Sequence, residues 1–183
     1  RGLTTRIFYY SYYPTTRGLN YAHLDGATWN TEVYNSQADE PSLVLDSAHN
    51  CHVAYHDKND RHLIYSYEDV YGWHDTTVDN SQDAADEVSL RLDSNQYPHI
   101  LYTHYNSAVS YAYLDGSGWH LETVDPIGEY ECELAIDSAD NPHIVFYKYG
   151  DDKLVYGYKP DDTWIFEDLA TSMATYSLAI DVG

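Results

Sequence analysis

The sequence predicts an all-β chain, and three observations carry that reading. A short run recurs four times, as Ser42-Leu43-Val44-Leu45-Asp46, Ser89-Leu90-Arg91-Leu92-Asp93, Glu133-Leu134-Ala135-Ile136-Asp137 and Ser177-Leu178-Ala179-Ile180-Asp181, its aspartates 47, 44 and 44 residues apart. The apolar stretches are five or six residues long, rich in Val, Ile, Tyr and Trp, and bounded by Asp, Asn, Gly, Ser or Pro. That is how strands and hairpin turns are written. No window of 11 or more residues sustains a 3.6-residue apolar period, so helix is nearly absent.

Each repeat divides into four elements. The Ser-Leu-x-Leu-Asp run is strand A. Strand B follows a polar turn, as His52-Val53-Ala54-Tyr55, His99-Ile100-Leu101-Tyr102 and His143-Ile144-Val145-Phe146, with Arg6-Ile7-Phe8-Tyr9 as the first copy. Strand C ends in a repeated tyrosine, Tyr21, Tyr65, Tyr111 and Tyr156, and strand D starts at Trp29, Trp73, Trp119 and Trp164. Four antiparallel strands in about 45 residues, repeated, describe the blade of a β-propeller. Helical solenoids have the wrong periodicity.

The chain opens at strand B and closes after strand A. The spacing therefore predicts one domain over residues 1–183: a four-bladed β-propeller in which Ser177–Asp181 pairs with the first blade and removes two open sheet edges. The blades are 177–183 with 1–36, then 37–80, 81–126 and 127–172. Asp46 and His52 face each other across one hairpin, as do Asp93 with His99 and Asp137 with His143. In the first blade Arg6 takes the histidine position, and the aspartate available to it is Asp181, a bidentate-capable pair at the seam. The same offset permits closure between chains, giving a fibre or a larger ring, or continuation into a tandem array.

The unit resembles the repeat of secreted bacterial propellers of the Asp-box, or sialidase-like, class. The resemblance rests on the turns between strands C and D, Asp25-Gly26-Ala27-Thr28-Trp29 and Asp115-Gly116-Ser117-Gly118-Trp119. Val70-Tyr71-Gly72-Trp73 and Asp161-Asp162-Thr163-Trp164 depart further from that pattern. The resemblance implies the fold and, because the class often binds glycans, a carbohydrate-binding role.

Charge narrows the partners. The 183 residues hold 30 acidic and 9 basic side chains, a formal charge of −21. Such a surface repels phosphate backbones and anionic headgroups, so neither nucleic acid nor membrane is expected. No stretch approaches the roughly 18 apolar residues of a spanning helix, and Arg1 begins no signal-like pattern. A soluble chain, extracellular or at the cell surface, is expected.

Ligand chemistry is weighed next. Strand B lies about 4.8 Å further out than strand A, too far for the repeated histidines to share one ion. Glu40, Glu87 and Glu131, with Thr175 in the fourth copy, open the innermost strand and could converge on an axial Ca²⁺; a solvated acidic rim is the alternative. The acidic turns at Asp57–Asp60, Asp83–Asp86 and Gly150–Asp152 read as solvated turns. Of the 21 tyrosines, those repeated on strands B and C read as packing. Tyr10, Tyr12, Tyr13, Tyr71, Tyr105, Tyr147 and Tyr149 could present flat rings beside polar groups, which suits a sugar, or equally a protein partner.

An enzyme is not expected. Arg1, Arg6, Arg17, Arg61 and Arg91 cannot supply the converging arginines of a sialidase site, and no acidic pair stands out for glycoside hydrolysis. Cys51 and Cys132 fall at opposite mouths of the ring, about 17 Å apart by strand length, beyond disulfide reach. No cofactor is required. The expectation is a non-catalytic binding or scaffold module, with a self-assembling structural subunit as the alternative.

Overall fold

The computed structural model describes residues 5–81, 83–105, 108–127, 131–171 and 176–180. Fifteen strands form four antiparallel sheets. Sheet I is β1 (Arg6–Ser11), β2 (Gly18–Asp25) and β3 (Thr28–Asn35). Sheet II holds β4 (Ala38–Leu45), β5 (Cys51–Asp57), β6 (His62–Asp69) and β7 (Gly72–Asp79). Sheet III holds β8 (Ala84–Leu92), β9 (Pro98–His104), β10 (Val109–Asp115) and β11 (Gly118–Asp125). Sheet IV holds β12 (Cys132–Ile136), β13 (Pro142–Lys148), β14 (Lys153–Tyr158) and β15 (Ile165–Thr171). Strand neighbours follow chain order within every sheet, as short hairpin connections require.

The repeated aspartates explain the hairpins between the first two strands of sheets II to IV. Asp46 Oδ1 accepts the backbone N–H groups of Ala48 and Asn50 at 2.8 Å each. Asp93 does the same for Asn95 and Tyr97, and Asp137 for Ala139 and Asn141. An acceptor that satisfies two loop donors fixes the turn and its register. Each loop then passes through one left-handed residue, His49, Gln96 or Asp140.

The sheets pack face to face in chain order, and the core lies in the three seams between them. Leu19, Val53 and Tyr55 join sheets I and II; Tyr65, Val78, Leu90, Ile100 and Tyr102 join II and III; Leu101, Tyr111, Leu134, Ile144 and Phe146 join III and IV. One pairing recurs in every seam: the tyrosine of a sheet's third-to-last packing row meets the edge of the next sheet's tryptophan. Ring centroids are 5.7 Å apart for Tyr21 and Trp73, 5.4 Å for Tyr65 and Trp119, and 5.5 Å for Tyr111 and Trp164, each near perpendicular, the favoured edge-to-face geometry. On the innermost strands, Leu90 N–H donates to Ser42 Oγ at 3.0 Å and Leu134 N–H to Ser89 Oγ at 3.1 Å.

Closure by the C-terminal strand is not found. Sheet I has three strands, and residues 176–180 form none. Tyr176 instead donates its hydroxyl to the Glu131 carbonyl, which holds the tail beside sheet IV and leaves the β1 edge of sheet I without a fourth strand. The expected Arg6 and Asp181 pair involves a residue outside the described ones, as does Thr175. Arg6 reaches forward to the next sheet, its Nη1 donating to Glu68 Oε2 and to the Tyr21 hydroxyl at 2.5 Å each. Most strands run to seven or eight residues, longer than the apolar stretches suggest, because polar residues at both ends continue the ladder. Cys51 and Cys132 are free and buried.

Candidate functional site

Antiparallel order sorts the loops onto two rims. One rim carries the aspartate hairpins after β4, β8 and β12 and the turns before each tryptophan. The other carries the turns after β1, β5, β9 and β13 and the starts of β4, β8 and β12. The sequence-selected tyrosines divide between them. Tyr12, Tyr13, Tyr105 and Tyr149 are exposed on the second rim, while Tyr71, also exposed, sits on the first. Tyr10 and Tyr12 meet edge to face at 4.6 Å, and Lys58 Nζ lies 4.1 Å over the Tyr10 ring while donating to its hydroxyl at 3.0 Å. Tyr147 is buried and donates to Asp152, so it presents no ring face to solvent. The seven tyrosines therefore do not form one patch.

The repeated histidines do pair with their hairpin aspartates. His Nε2 lies 3.6, 3.8 and 3.3 Å from the carboxylates of Asp46, Asp93 and Asp137. The opposite ring nitrogen meets the seam tyrosine: His52 with Tyr65 at 2.5 Å, His99 with Tyr111, and His143 with Tyr156 at 2.6 Å. Burial pushes the pKa values of His52 and His99 down. A neutral ring with its proton on Nε2 fits both contacts, the tyrosine hydroxyl donating to Nδ1. Burial alone would raise Asp137, yet the side chain and backbone of Asn141 outweigh it and hold the carboxyl down at about 2. These groups are structural, each satisfied by its own hairpin and seam.

A concave site forms where sequence reasoning did not look, on the first rim between sheets III and IV. This cleft of about 200 Å³ is walled by His99, Tyr111 and Tyr113 on one side and by Asn141, Lys159 and Asp161 on the other. Lys159 Nζ donates to both carboxylate oxygens of Glu122, at 2.7 and 2.9 Å, and lies 5.9 Å over the rings of Tyr113 and Trp164. Trp164 Nε1 donates to the same Glu122 at 2.9 Å. An ammonium has three donors, so one remains for a ligand oxygen. Tyr113 stacks on His99 and His120, at 5.9 and 4.8 Å, which fixes its ring plane. The corresponding seam between sheets I and II is filled by Arg6 and Glu68. The cue in the sequence was the third residue after the seam tyrosine: Leu24, Glu68, Leu114 and Lys159.

The axial glutamates lie at the second rim. Burial, followed by the charges of Glu40, Asp86 and Glu131, pushes Glu87 up to about 7, and Glu40 is raised by burial and by Asp39. Among the described residues no three His, Cys, Asp or Glu side chains are grouped to hold a metal ion. No helix among them is long and apolar enough to cross a membrane.

No family model matches the sequence, and no curated protein is significantly similar to it. The resemblance to Asp-box propellers is thus not supported by any sequence family. Solved structures do share the fold. AofleA from Arthrobotrys oligospora superposes with a TM-score of 0.66 at 13% identity, over 95% of this chain and 56% of that one. A protein of unknown function from Dyadobacter fermentans gives 0.61 at 10% identity, over 87% and 60%. The SapL1 lectin, solved in complex with alpha methyl fucoside, gives 0.61 at 14% identity, over 85% and 57%. At such identities the likeness shows an all-β fold alone. The chain spans little more than half the length of these proteins.

Proposed function

We propose that the protein is a non-catalytic carbohydrate-binding module, extracellular or displayed at a cell surface, that takes one sugar ring in the cleft between sheets III and IV. The observation that carries the reading is the Tyr113 ring held flat beside the Lys159 ammonium and the polar groups of Asn141 and Asp161. A sugar needs an apolar face for its C–H groups and fixed donors and acceptors for its hydroxyls. A cleft of about 200 Å³ lies below the roughly 300–1,000 Å³ of drug-sized sites, which suits one ring. The fold shared with a fucoside-bound lectin supports the same reading, and fucosides are the first ligands to try.

The exposed tyrosines of the opposite rim, Tyr12 and Tyr13 above all, are the second place for a glycan or a protein partner. Calorimetric titration with methyl fucoside and a broad glycan array separates the two. Lys159→Met and Tyr113→Ala each weaken binding at least tenfold with unchanged melting, while Tyr12→Ala does not. Loss of binding in Tyr12→Ala alone moves the site to the second rim. Absence of any hit on the array by the unaltered chain refutes the carbohydrate reading, and turnover of aryl glycosides refutes the non-catalytic one.

A further inference from the structure

The three internal seams use one pair of faces. The receiving face of sheet III presents Ile100, Tyr102 and Trp119 to sheet II, and Ile100 and Tyr102 are fully buried there. Its delivering face presents Tyr111 and Val124 to sheet IV. Residues at the same positions in the end sheets have nothing against them. In sheet I the receiving face is Ile7, Tyr9 and Trp29, which are 42%, 37% and 47% exposed. In sheet IV the delivering face is Tyr156 and Leu169, and Leu169 is 51% exposed. Val78, in the position of Leu169, is buried in the seam between sheets II and III.

The molecule therefore ends in two halves of one interface. A tryptophan without its tyrosine lies at one end, and a tyrosine without its tryptophan at the other. The histidine bond that orients each seam tyrosine is already made at Tyr156, so this half is preorganised. We infer that the delivering face of sheet IV binds the receiving face of sheet I of a second copy of this chain, head to tail, through the contact that joins its own sheets. The two faces are unlike, so the association is heterologous: each copy offers one of each and the chain of contacts ends only by closing on itself. Exposed apolar surface of this kind on a sheet face marks an interaction site. The contact residues are uncharged while each copy carries a formal charge of −21, so the opposing force is long-range repulsion, which salt screens within about 10 Å at 0.1 M.

Sedimentation velocity of the full chain tests this. Species of two or more copies of the 21.0 kDa chain are expected as its concentration rises through the micromolar range, and added salt increases them. Trp29→Asp and Leu169→Asp, both at exposed positions, each abolish the larger species while far-UV circular dichroism stays unchanged. Mixed together, the two variants form a one-to-one pair, because each retains the face that the other lacks. Wild-type chain that stays monomeric at all concentrations and salt levels overturns the inference. So do variants that keep the wild-type mass, or a mixture that stays monomeric. A mutant that unfolds is replaced by Ile7→Asn or Tyr156→Ser in the same mixing experiment.

Discussion

Sheets I and III are built from the same repeat, yet one is a middle layer and the other an end. Tyr9 and Tyr102 stand at the same position of the same strand. Tyr102 is buried and donates to Asp79 of sheet II at 2.7 Å, whereas Tyr9 is more than a third exposed. The strands form equally in both places, with the same antiparallel register. Strand formation is thus set locally, by alternation and turn chemistry, while burial of the repeat's apolar face depends on the neighbouring sheet. Stability in such an array is a sum of unit terms and seam terms, and sheets I and III differ mainly in the second.

The largest effect follows at the shared tyrosine. Tyr102→Ala empties a packed seam and removes a partner from Asp79, and is expected to cost about 3–5 kcal/mol in urea unfolding of the chain. Tyr9→Ala, at the same register, costs less than about 1 kcal/mol. Equal losses would break the distinction between middle and end. A smaller effect falls on the innermost strand of sheet III. Glu87, pushed up to about 7 from 4.5, favours its protonated form when folded. Its favourable contribution is complete below pH 4.5 and is lost as pH rises through 7. Glu87→Gln should therefore melt higher than wild type at pH 8, by roughly 1 kcal/mol after allowance for solvent screening, and match it at pH 4. The reverse order would show that the carboxylate is stabilised by an unseen cation. The smallest effect is at Arg6. Arg6→His restores the residue used by the other sheets, keeps a partner for the Tyr21 hydroxyl, and gives up the bond to Glu68. A change within about 1 kcal/mol is expected; a larger loss would make the Glu68 contact the main fastening of sheet I.

The sequence showed what is periodic and local. All fifteen strands fall where the repeated Asp, His, Tyr and Trp positions place them, and the His52, His99 and His143 pairings with their aspartates lie across single hairpins. Contacts between sheets were harder to read. Arg6 with Glu68 and Lys159 with Glu122 join residues far apart in sequence at positions where the repeat is not conserved from copy to copy, so no pattern announced them. The cleft arises from such a position. The irregular starts of β4 and β8, where Glu40 and Ala85 adopt left-handed backbone angles and the ladder slips, left no glycine to mark them. The tail carries the composition of a strand, but composition does not supply an edge to pair with. The bond from Tyr176 to the Glu131 carbonyl placed it elsewhere.

The bridges between hairpins deserve a last inference. Ser47 N–H donates to Gln96 at 2.7 Å, and Ser94 donates to Asp140 through both its N–H and its hydroxyl at 2.8 and 2.6 Å. Each staple links one loop tip to the equivalent tip a single repeat further on, so the angular step between layers is set at the outside as well as in the apolar interior. A gene that gained or lost one such unit would keep the same pitch, which makes copy number an adjustable trait in this architecture.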